Sequence, residues 1–320
     1  MNNYKIIAKE TKSLTIEDWK SFVSNFNSVF EKSFSLKYFK NKYFQSSKGF
    51  SFHGILYFEK QIVGMVSIIP RLYKINFSNE HVGLVCDAFI LKNHRQNEFF
   101  LKNMSESAID LAKINNINRF ISIPNQNAYS YWKYFASWKD IGELNYYFIP
   151  VKISKLINKN FYFLDYLSSF LFKSITLIFL KIFSDKSLNH KNFFILKNKS
   201  FYEERFSDNY IKVVLKDKSS FVYKIYNENG IITAYILDFN PISKKGINEA
   251  LFHILFKEMT KIDLIVYIGN IKIKPFYFIK VPDKKVPRKL NFIGLSFVDN
   301  DFDFFDINKW EISLANFDNR

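Results

Sequence analysis

The sequence predicts a mixed α/β (α+β) fold made of two tandem units, each with a mixed, mostly antiparallel sheet flanked by helices. Two observations lead to this class. The chain has 320 residues, of which 48% are hydrophobic and 38 are Phe, enough for two buried cores. A cycle of hairpin, loop, amphipathic helix and strand also occurs twice along the chain. We therefore expect an N-terminal domain at 1–150, a helical connector at 151–199 and a C-terminal domain at 200–320.

The first domain begins with a helix whose start is marked by a capping pair. Thr15 and Asp18 have the spacing of a capping box, and apolar residues then recur at helical spacing up to Phe30. Four strands are expected next, because alternating apolar residues fill FHGILYF and IVGMVSIIP around one turn and RLYKINF and HVGLVCDAFIL around another.

The remainder of this domain alternates helices and strands. Phe100, Met104, Ala108 and Leu111 share one helical face, which predicts a helix that packs on the sheet. The strand RFISI, the aromatic helix NAYSYWKYF and the strand NYYFIP complete the domain, which ends at Pro150.

The connector contains a stretch that approaches membrane length, FYFLDYLSSFLFKSITLIFLKIF at 161–183. Asp165, Lys173 and Lys181 interrupt it, each at a cost of about 2.5–3.5 kcal/mol near a bilayer centre. A buried linker helix or a helix on a membrane surface is favoured over a span, so peripheral membrane contact is left open. The second domain repeats the cycle with SFVYKIY, IITAYILDF, the helix INEALFHILFKEM and the strand DLIVYIG.

The formal net charge of +16 raises the question of an anionic partner. Nucleic acid is not expected, because no basic helix, RNA-binding motif or zinc-finger spacing accompanies the charge. The five His residues have no two-His metal spacing, so no metal is expected. The single cysteine, Cys86, cannot form an internal disulfide, and we expect it to be a small buried residue of a cytoplasmic protein. The oligomeric state is not predicted by the sequence.

Residues 87–100, DAFILKNHRQNEFF, run from a strand through a basic, amide-rich loop into a helix. A loop at a helix N-terminus presents backbone N–H groups and the positive end of the helix dipole, which suits a pyrophosphate. The loop has no glycine, although glycine permits close backbone approach and positive φ, and Glu98 adds a negative charge. Lys92, His94 and Arg95 offset part of that charge.

This region resembles the acyl-CoA site of the GNAT-type acyl-CoA N-acyltransferases, in which a strand and a helix flank Arg or Gln, two residues, Gly, one residue, then Gly or Ala. Four residues match the longer pattern of sugar- and polysaccharide-modifying relatives: Asp87, Ile90, Arg95 and Phe100. Gln96 and Glu98 stand at glycine positions of that pattern, and Lys92 stands at its proline.

The segment PNQNAYSYWKYFASWKDIG at 124–142 resembles the relatives' Pro-Asn, Ala-Tyr, aromatic, Gly-Trp segment. In the family, an Asn and a Tyr there line the acyl-CoA tail, and the Tyr protonates the departing thiolate. Asn125 and Ala128 match, Ser137 stands where Gly is usual, and Tyr131 and Tyr134 are both candidates for the acid. The final segment KWEISLANFD resembles the Trp-bearing last strand of tandem relatives.

The resemblance implies transfer of an acetyl or similar group from acyl-CoA, the co-substrate, to a small-molecule amine such as an amino sugar of surface-polysaccharide biosynthesis. Asp87 is the candidate base that keeps the amine neutral, although a strand-end Asp paired with Lys or Arg explains it equally well. The implied acyl-CoA contacts are Phe89, Ile90, Arg95, Gln96, Asn97, Glu98, Phe99, Phe100, Asn125 and Ala128. The implied substrate contacts are Tyr43 and Arg205, and a structural salt bridge is the alternative for Arg205.

Three alternatives stay open. The segment DFNPISKKGIN at 238–248 also leads into a helix and retains Gly246, so it is a second candidate phosphate loop. The missing glycines of the first loop favour a non-catalytic GNAT-like scaffold or binding protein. A Fem-type aminoacyl transferase shares the tandem fold and suits the basic charge; it would take its acyl group from tRNA, and 151–199 would supply its helical arm.

Overall fold

The computed structural model describes residues 3–154, 162–182, 192–206, 210–215, 219–271 and 274–317. The expected connector and its apolar stretch therefore lie partly outside the described residues, at 155–161 and 183–191. Up to residue 150 the elements are β1 (Tyr4–Glu10), α1 (Ile16–Phe30), α2 (Leu36–Phe44), β2 (Phe52–Phe58), β3 (Gln61–Ile75), β4 (Ser78–Ile90), α3 (Phe100–Ile114), β5 (Arg119–Ser122), α4 (Gln126–Tyr134), β6 (Lys139–Glu143) and β7 (Asn145–Pro150).

The later elements follow two long breaks in the described chain. They are α5 (Tyr162–Ile182), β8 (Phe193–Ile195), α6 (Lys199–Arg205), β9 (Ile211–Val214), β10 (Ser220–Glu228), β11 (Ile231–Asn240), α7 (Lys244–Glu258), β12 (Leu264–Gly269), β13 (Ile279–Lys280), β14 (Asn291–Ser296) and β15 (Trp310–Glu311). The chain is thus a mixed α+β protein, as its periodicity predicts.

Two compact units are present, and each combines segments that are distant in sequence. Unit 1 consists of Met1–Glu143, Asn192–Arg205 and Leu290–Trp310. Unit 2 consists of Leu144–Lys191, Phe206–Lys289 and Glu311–Arg320. The contiguous boundaries expected at 150 and 200 do not coincide with these units, because β7 joins the sheet of unit 2 and β14 joins the sheet of unit 1.

Helix α1 begins at the predicted capping box. The Thr15 side chain accepts a hydrogen bond from the backbone N–H of Asp18, and the Asp18 carboxylate accepts one from the N–H of Thr15, both at 3.1 Å. Two otherwise unpaired donors at the helix start are thereby satisfied. The buried face carries Phe22 and Phe26, both fully buried, so the apolar spacing serves the core of unit 1.

The sequence correctly marks extended chain before the loop, but its division into strands is wrong. RLYKINF was expected as a separate strand after Pro70, whereas β3 runs unbroken from Gln61 to Ile75. Pairing with β2 ends at Phe52 opposite Ile68, so the missing N–H of Pro70 interrupts no bond to that strand. Strand β1 is an addition that the sequence pattern did not indicate; it pairs antiparallel with β2.

The sheet of unit 1 has the order β1, β2, β3, β4, β5, β14, β6, with β8 pairing to β3 and β15 to β8. All neighbours along the main path are antiparallel except β4 and β5, which are parallel. Helix α3 packs on this sheet through Met104 and Ala108, both fully buried. In the described part of the expected last strand at 309–318, Trp310–Glu311 forms a short strand and Ser313 forms an isolated antiparallel bridge with Gly269.

The sheet of unit 2 has the order β9, β10, β11, β12, β7, β13. Here too all neighbours are antiparallel except one parallel pair, β11 with β12. Helix α7 packs on it through a row of buried apolar residues: Ile247, Ala250, Leu251, Ile254 and Leu255. The run β2, β3, β4, β5, β14, β6 of unit 1 therefore has the same sequence of strand directions as the whole sheet of unit 2.

Candidate active site

Strand β4 has a neighbour on only one side over its last residues. Its parallel pairing with β5 covers Val82 to Leu84 and stops there, while pairing with β3 continues to Gly64 opposite Ile90. The hydroxyl of Ser122 donates to the carbonyl of Val85 at 2.9 Å, where the gap begins. The ladder between β4 and β5 therefore ends several residues before β4 does, and the last residues of β4 lead directly to the basic loop.

A β-bulge lies within this one-sided stretch. Met65 of β3 faces Phe89, whereas Ser67 faces Cys86, so β4 carries one extra residue. Asp87 sits at the bulge with a φ of +53°, a left-handed conformation that Asp tolerates better than most residues. A bulge turns backbone groups out of the regular ladder and bends the strand, which is common beside active sites.

The carboxylate of Asp87 is buried and paired. Its side chain is 0% exposed, the Lys42 ammonium lies 2.5 Å from Oδ2, and the Tyr43 hydroxyl donates to the same oxygen at 2.7 Å. The Cys86 thiol lies 3.5 Å from that oxygen. An ammonium and a phenol both stabilise the ionised carboxylate. Asp87 is therefore an ion-paired carboxylate inside the protein and is not exposed to solvent, as the salt-bridge alternative from the sequence describes.

A chain of buried hydrogen bonds ends on this carboxylate. The hydroxyl of Ser67 donates to the Tyr43 oxygen at 3.1 Å, and His53 Nδ1 lies 3.0 Å from the Ser67 oxygen. His53 Nε2 lies 2.9 Å from the Thr11 hydroxyl. Ser67 and Tyr43 each give their single proton toward Asp87, so the contact between His53 and Ser67 needs a proton on His53 Nδ1. The bonds from His53 through Ser67 and Tyr43 then point toward Asp87, while the Thr11 hydroxyl donates to the carbonyl of Ser51 at 3.0 Å.

The protonation state of His53 agrees with this direction. Complete burial lowers the pKa of His53 to about 3, so the ring is neutral at physiological pH. The hydrogen-bond chain therefore carries no charge at His53 at neutral pH, and it fixes the orientation of Tyr43 beside Asp87.

The loop at 91–99 reaches α3 without glycine because its backbone needs none. All nine residues are described, and none of them has a positive φ. Lys92 to His94 form a single 3-10 turn, and the Asn97 side chain accepts the N–H of Phe99 at 2.9 Å. Side chains hold the loop: Arg95 Nε donates to the carbonyl of Ile90 at 2.9 Å, and Gln96 Nε2 donates to the carbonyl of Asn93 at 2.6 Å.

Tyr4 of β1 also fastens this loop. Its hydroxyl lies 2.9 Å from His94 Nδ1 and donates to Gln96 Oε1 at 3.2 Å. Its ring lies 4.8 Å from that of Phe100, centroid to centroid. The sequence did not point to Tyr4, because the contact spans 90 residues and nothing in the local pattern marks it.

Tyr131 of α4 closes the first turn of α3. Its hydroxyl accepts the backbone N–H of Lys102 at 3.0 Å and donates to the carbonyl of Glu98 at 2.6 Å. The hydroxyl therefore occupies one of the donors that a phosphate would use. Burial raises the pKa of Tyr131, so it stays protonated over the physiological range. Tyr134, the other candidate acid, is 74% exposed.

Two other residues of the resemblance have structural roles at the two ends of the α4 segment. The Asn125 side chain caps α4 by accepting the N–H of Ala128 at 2.8 Å. Ser137 adopts a φ of +59°, so the position where glycine is usual keeps the left-handed backbone without the glycine.

The remaining predicted residues divide into exposed loop positions and buried ones. Gln96, Asn97, Glu98 and Phe99 lie exposed in the loop beside Arg95. Phe89 is buried, and its ring lies 5.9 Å from Phe26 and 6.1 Å from Phe22 in the core of unit 1. Ile90 is half-buried at the end of β4.

Neither residue proposed for the acceptor is open to solvent. Tyr43 is 0% exposed, and Arg205, at the end of α6, is 8% exposed. The structure thus brings Tyr43 together with Asp87 and brings Tyr131 together with the loop. Sequence reasoning missed Lys42, although it named the neighbouring Tyr43. Lys42 and Asp87 are 45 positions apart in the sequence, so their ion pair leaves no local signal.

Unit 2 repeats the one-sided strand end. Parallel pairing of β11 with β12 stops at Ile236 opposite Tyr267, yet β11 continues to Asn240 and has a register shift against β10 just beyond that point. Gly246 falls inside the first turn of α7, where the Ser243 hydroxyl accepts its N–H at 2.9 Å. The second candidate loop is therefore shorter than the first, because its helix begins at Lys244.

No group of three or more His, Cys, Asp or Glu residues in the described part of the chain is arranged to hold a metal ion.

The comparisons with known proteins identify the fold. No protein-family model and no curated protein sequence matches the chain. A GCN5-related N-acetyltransferase from Anabaena variabilis superposes with a TM-score of 0.60 at 11% identity, over 91% of this chain and 72% of that one. A GCN5-related N-acetyltransferase from Kribbella flavida gives 0.58 at 7%, over 91% and 71%. N-myristoyltransferase from Saccharomyces cerevisiae, solved with bound myristoyl-CoA, gives 0.52 at 8%, over 92% and 83%. The chain has the fold of the GNAT-type N-acyltransferases.

Proposed function

We propose that this protein is an acyl-CoA-dependent N-acyltransferase that moves an acetyl or similar group from CoA to a small-molecule amine. The observation that carries the proposal is the one-sided, bulged end of β4 that leads through a cationic loop into the N-terminus of α3. Such an end would offer backbone N–H groups at the bulge for a thioester carbonyl, and the loop cations with the α3 dipole for a pyrophosphate, although the N–H groups of Phe100 and Lys102 already bond to Asn97 and Tyr131. The fold of the solved N-acyltransferases supports the same reaction class.

In the proposed reaction a neutral amine attacks the thioester carbonyl. A C–N bond forms, the C–S bond breaks, the amine loses a proton and the thiolate gains one. Backbone N–H groups at the bulge would polarise the carbonyl. Lys92, His94 and Arg95 would face the diphosphate of CoA together with the α3 dipole.

Asp87 has a positioning role in this proposal. Because its side chain is buried and paired with Lys42 and Tyr43, it serves to lock the bulge and is not the group that touches the amine. Tyr131 and Tyr134 are both retained as candidate acids for the thiolate. Comparing kcat for Tyr131→Phe and Tyr134→Phe distinguishes them, because the variant that lacks the acid loses rate without losing CoA affinity.

An amino sugar of surface-polysaccharide synthesis is the proposed acceptor class, on the sequence resemblance alone. A cytoplasmic location belongs to the same proposal. The relation between the two units is proposed to be an internal duplication, because both sheets share the order and direction of six strands.

Calorimetry with acetyl-CoA tests the loop. We expect binding by the wild type, about five- to tenfold weaker binding by Arg95→Ala, and binding tightened a few-fold by Glu98→Gln. The Glu98 substitution leaves the backbone carbonyl that accepts from Tyr131 in place. Glu106→Gln is the matched control, since Glu106 is also exposed on α3 but lies two turns further along the helix.

Absence of heat from a folded wild-type protein would reject acyl-CoA binding. That result would favour the scaffold alternative, for which the specific observation is that Tyr131 already occupies the α3 N-terminus. Retention of RNA during purification would instead favour the aminoacyl alternative.

A further inference from the structure

Helix α5 exposes an apolar face. Its exposed apolar residues form two adjacent pairs one turn apart and a third pair about two turns further on, which places them on one side of the helix over about 18 Å of its length. Six of them define what we call the α5 stripe: Tyr166, Leu167, Phe170, Leu171, Leu177 and Ile178. Their exposed fractions range from 46% to 83%. Together they form a larger exposed apolar surface than a single scattered hydrophobic residue does.

The opposite face of α5 is fixed in unit 2. Phe172, Ile175 and Phe179 pack in its core, and the Asn248 side chain of α7 donates to the carbonyl of Thr176 at 3.1 Å. Near the start of the helix, the Ser168 hydroxyl donates to the carbonyl of Val151 at 2.7 Å. By length and composition α5 is the one described helix that can cross a membrane, yet these contacts hold one face of it inside the protein. The helix can therefore meet a bilayer with its stripe while the protein stays folded.

One aromatic residue of the neighbouring helix α7 widens the stripe. Phe256 of α7 is 67% exposed, and the Lys173 ammonium of α5 lies 4.7 Å from its ring centre. The apolar surface thus extends beyond one helix, and a Lys lies at its margin.

The charge of unit 2 determines which occupant suits this surface. Unit 2 contains 23 Lys and Arg and 12 Asp and Glu, so it carries +11 of the formal +16. Lys173 borders the stripe and Lys257 is exposed next to Phe256, whereas the acid of α5, Asp165, bonds through its carboxylate to Ser154. An exposed apolar stripe with basic residues around it is the pattern of helices that lie in the interface of an anionic bilayer. A second copy suits it less, because two units of +11 repel each other.

We infer that the α5 stripe docks on an anionic lipid bilayer, with the helix parallel to the surface and with Lys173 and Lys257 at the headgroups. The inference does not depend on the proposed acyl transfer.

Vesicle flotation tests the docking. Phosphatidylcholine vesicles with phosphatidylglycerol should carry the wild type to the top of the gradient, and pure phosphatidylcholine vesicles should carry much less. Phe170→Gln with Leu177→Gln should lower the partition coefficient at least about tenfold, because two large apolar side chains no longer enter the interface. Lys173→Gln with Lys257→Gln should lower it about tenfold or more on the anionic vesicles.

Phe77→Gln is the matched control. Phe77 is 99% exposed in the turn between β3 and β4 of unit 1, so its removal deletes an exposed aromatic residue that does not belong to the stripe and should leave flotation unchanged. Circular dichroism and acetyl-CoA calorimetry on each variant separate docking from folding and from the proposed function.

Two outcomes would overturn the inference. One is failure of the wild type to float with anionic vesicles, or equal flotation of the Phe170/Leu177 variant. The other is a dimer by analytical ultracentrifugation that this variant abolishes, which would assign the stripe to a second copy of the chain.

Discussion

Four buried side chains, from His53 to Asp87, form one directed hydrogen-bond chain in unit 1. Because every proton in it points toward the carboxylate, the loss of one member leaves its neighbours with an unmatched donor or acceptor. A buried polar group without a partner costs about 1–3 kcal/mol, so the chain favours a single arrangement of Tyr43 and the bulge.

His53 makes stability depend on pH. The unfolded residue takes up a proton below about 6.5, whereas the folded one does so only near 3, so stability falls as the pH drops through this window. We expect His53 alone to account for a loss of about 2 kcal/mol in the free energy of unfolding between pH 7 and pH 5. His53→Gln should remove that part of the pH dependence, measured by urea unfolding at both pH values.

The wild type is the reference for that measurement, since other groups titrate in both proteins. If the free energy of unfolding changed with pH as steeply in His53→Gln as in the wild type, the folded His53 would titrate normally and the hydrogen-bond chain would not be neutral.

Sequence reasoning at this scale named Asp87, Tyr43 and Tyr131 without the contacts they make. A motif resemblance indicates which residue types occur at which spacing, and it says nothing of the side chains that surround them in the folded protein. The partners could not be predicted: Lys42 meets Asp87 because α2 packs over the bulge, which is a property of the packed unit.

Helix α1 is the element whose start the sequence predicted best. The structure confirms both halves of its capping box, and it adds two partners to Asp18: the Lys9 ammonium and the Tyr57 hydroxyl, each at 2.7 Å. Burial opposes the charge on Asp18, but the hydrogen bonds from Lys9, Tyr57 and the Thr15 N–H outweigh it and lower the pKa of Asp18. Through these bonds Asp18 also links α1 to β1 and β2.

Asp18→Asn should reduce the free energy of unfolding at pH 7 by about 1–3 kcal/mol, because it removes the charge that holds Lys9 and weakens the cap. A carboxyl with a lowered pKa stabilises the fold above its unfolded value near 3.8, and that contribution disappears as the pH falls through its folded value. The difference between variant and wild type should therefore shrink toward pH 3 in urea titrations.

Ser35→Ala is the control for this prediction. Ser35 caps α2 through one bond from the Tyr38 N–H and carries no charge, so we expect a loss of about 1 kcal/mol that does not change with pH. A gap between Asp18→Asn and wild type that stays constant down to pH 3 would contradict the ionic part of the argument.

Two other elements mark the limit of local signals. The sequence predicted a strand break at Pro70, and β3 continues because its β2 neighbour has already ended there. The sequence also indicated a phosphate loop that lacked its glycines, and the loop forms without positive φ. Whether Pro70 breaks β3 depends on whether a neighbouring strand needs its N–H, and whether the loop needs glycine depends on its φ angles. The residue type alone specifies neither.

At the scale of the molecule, each sheet depends on a strand from a remote part of the chain. Strand β14 lies between β5 and β6 in unit 1, and Ile293 at its centre is fully buried. A fragment of residues 1–150 lacks that strand, so β5 and β6 would have no common neighbour and would expose unpaired edges.

We expect the 1–150 fragment to be insoluble or to unfold without a cooperative transition, whereas the full chain unfolds cooperatively. A fragment in which 1–143 is joined by a Gly/Ser linker to 290–310 should be more soluble and regain a thermal transition by circular dichroism. A cooperative 1–150 fragment with native-like near-UV dichroism would contradict the need for β14.

The sequence by itself determined the mixed α+β class, the capped first helix, the amphipathic α3 and α7, and the strand, loop and helix order of the candidate site. These features arise from periodicity and capping between residues a few positions apart. Only the tertiary structure decided that β7 and β14 join sheets outside the expected boundaries, that Lys42 and Tyr43 hold Asp87, and that Tyr131 closes the first turn of α3. Those contacts span about 30 to 170 residues, and the free energy that selects them comes from packing and burial of the whole unit, which no local pattern encodes.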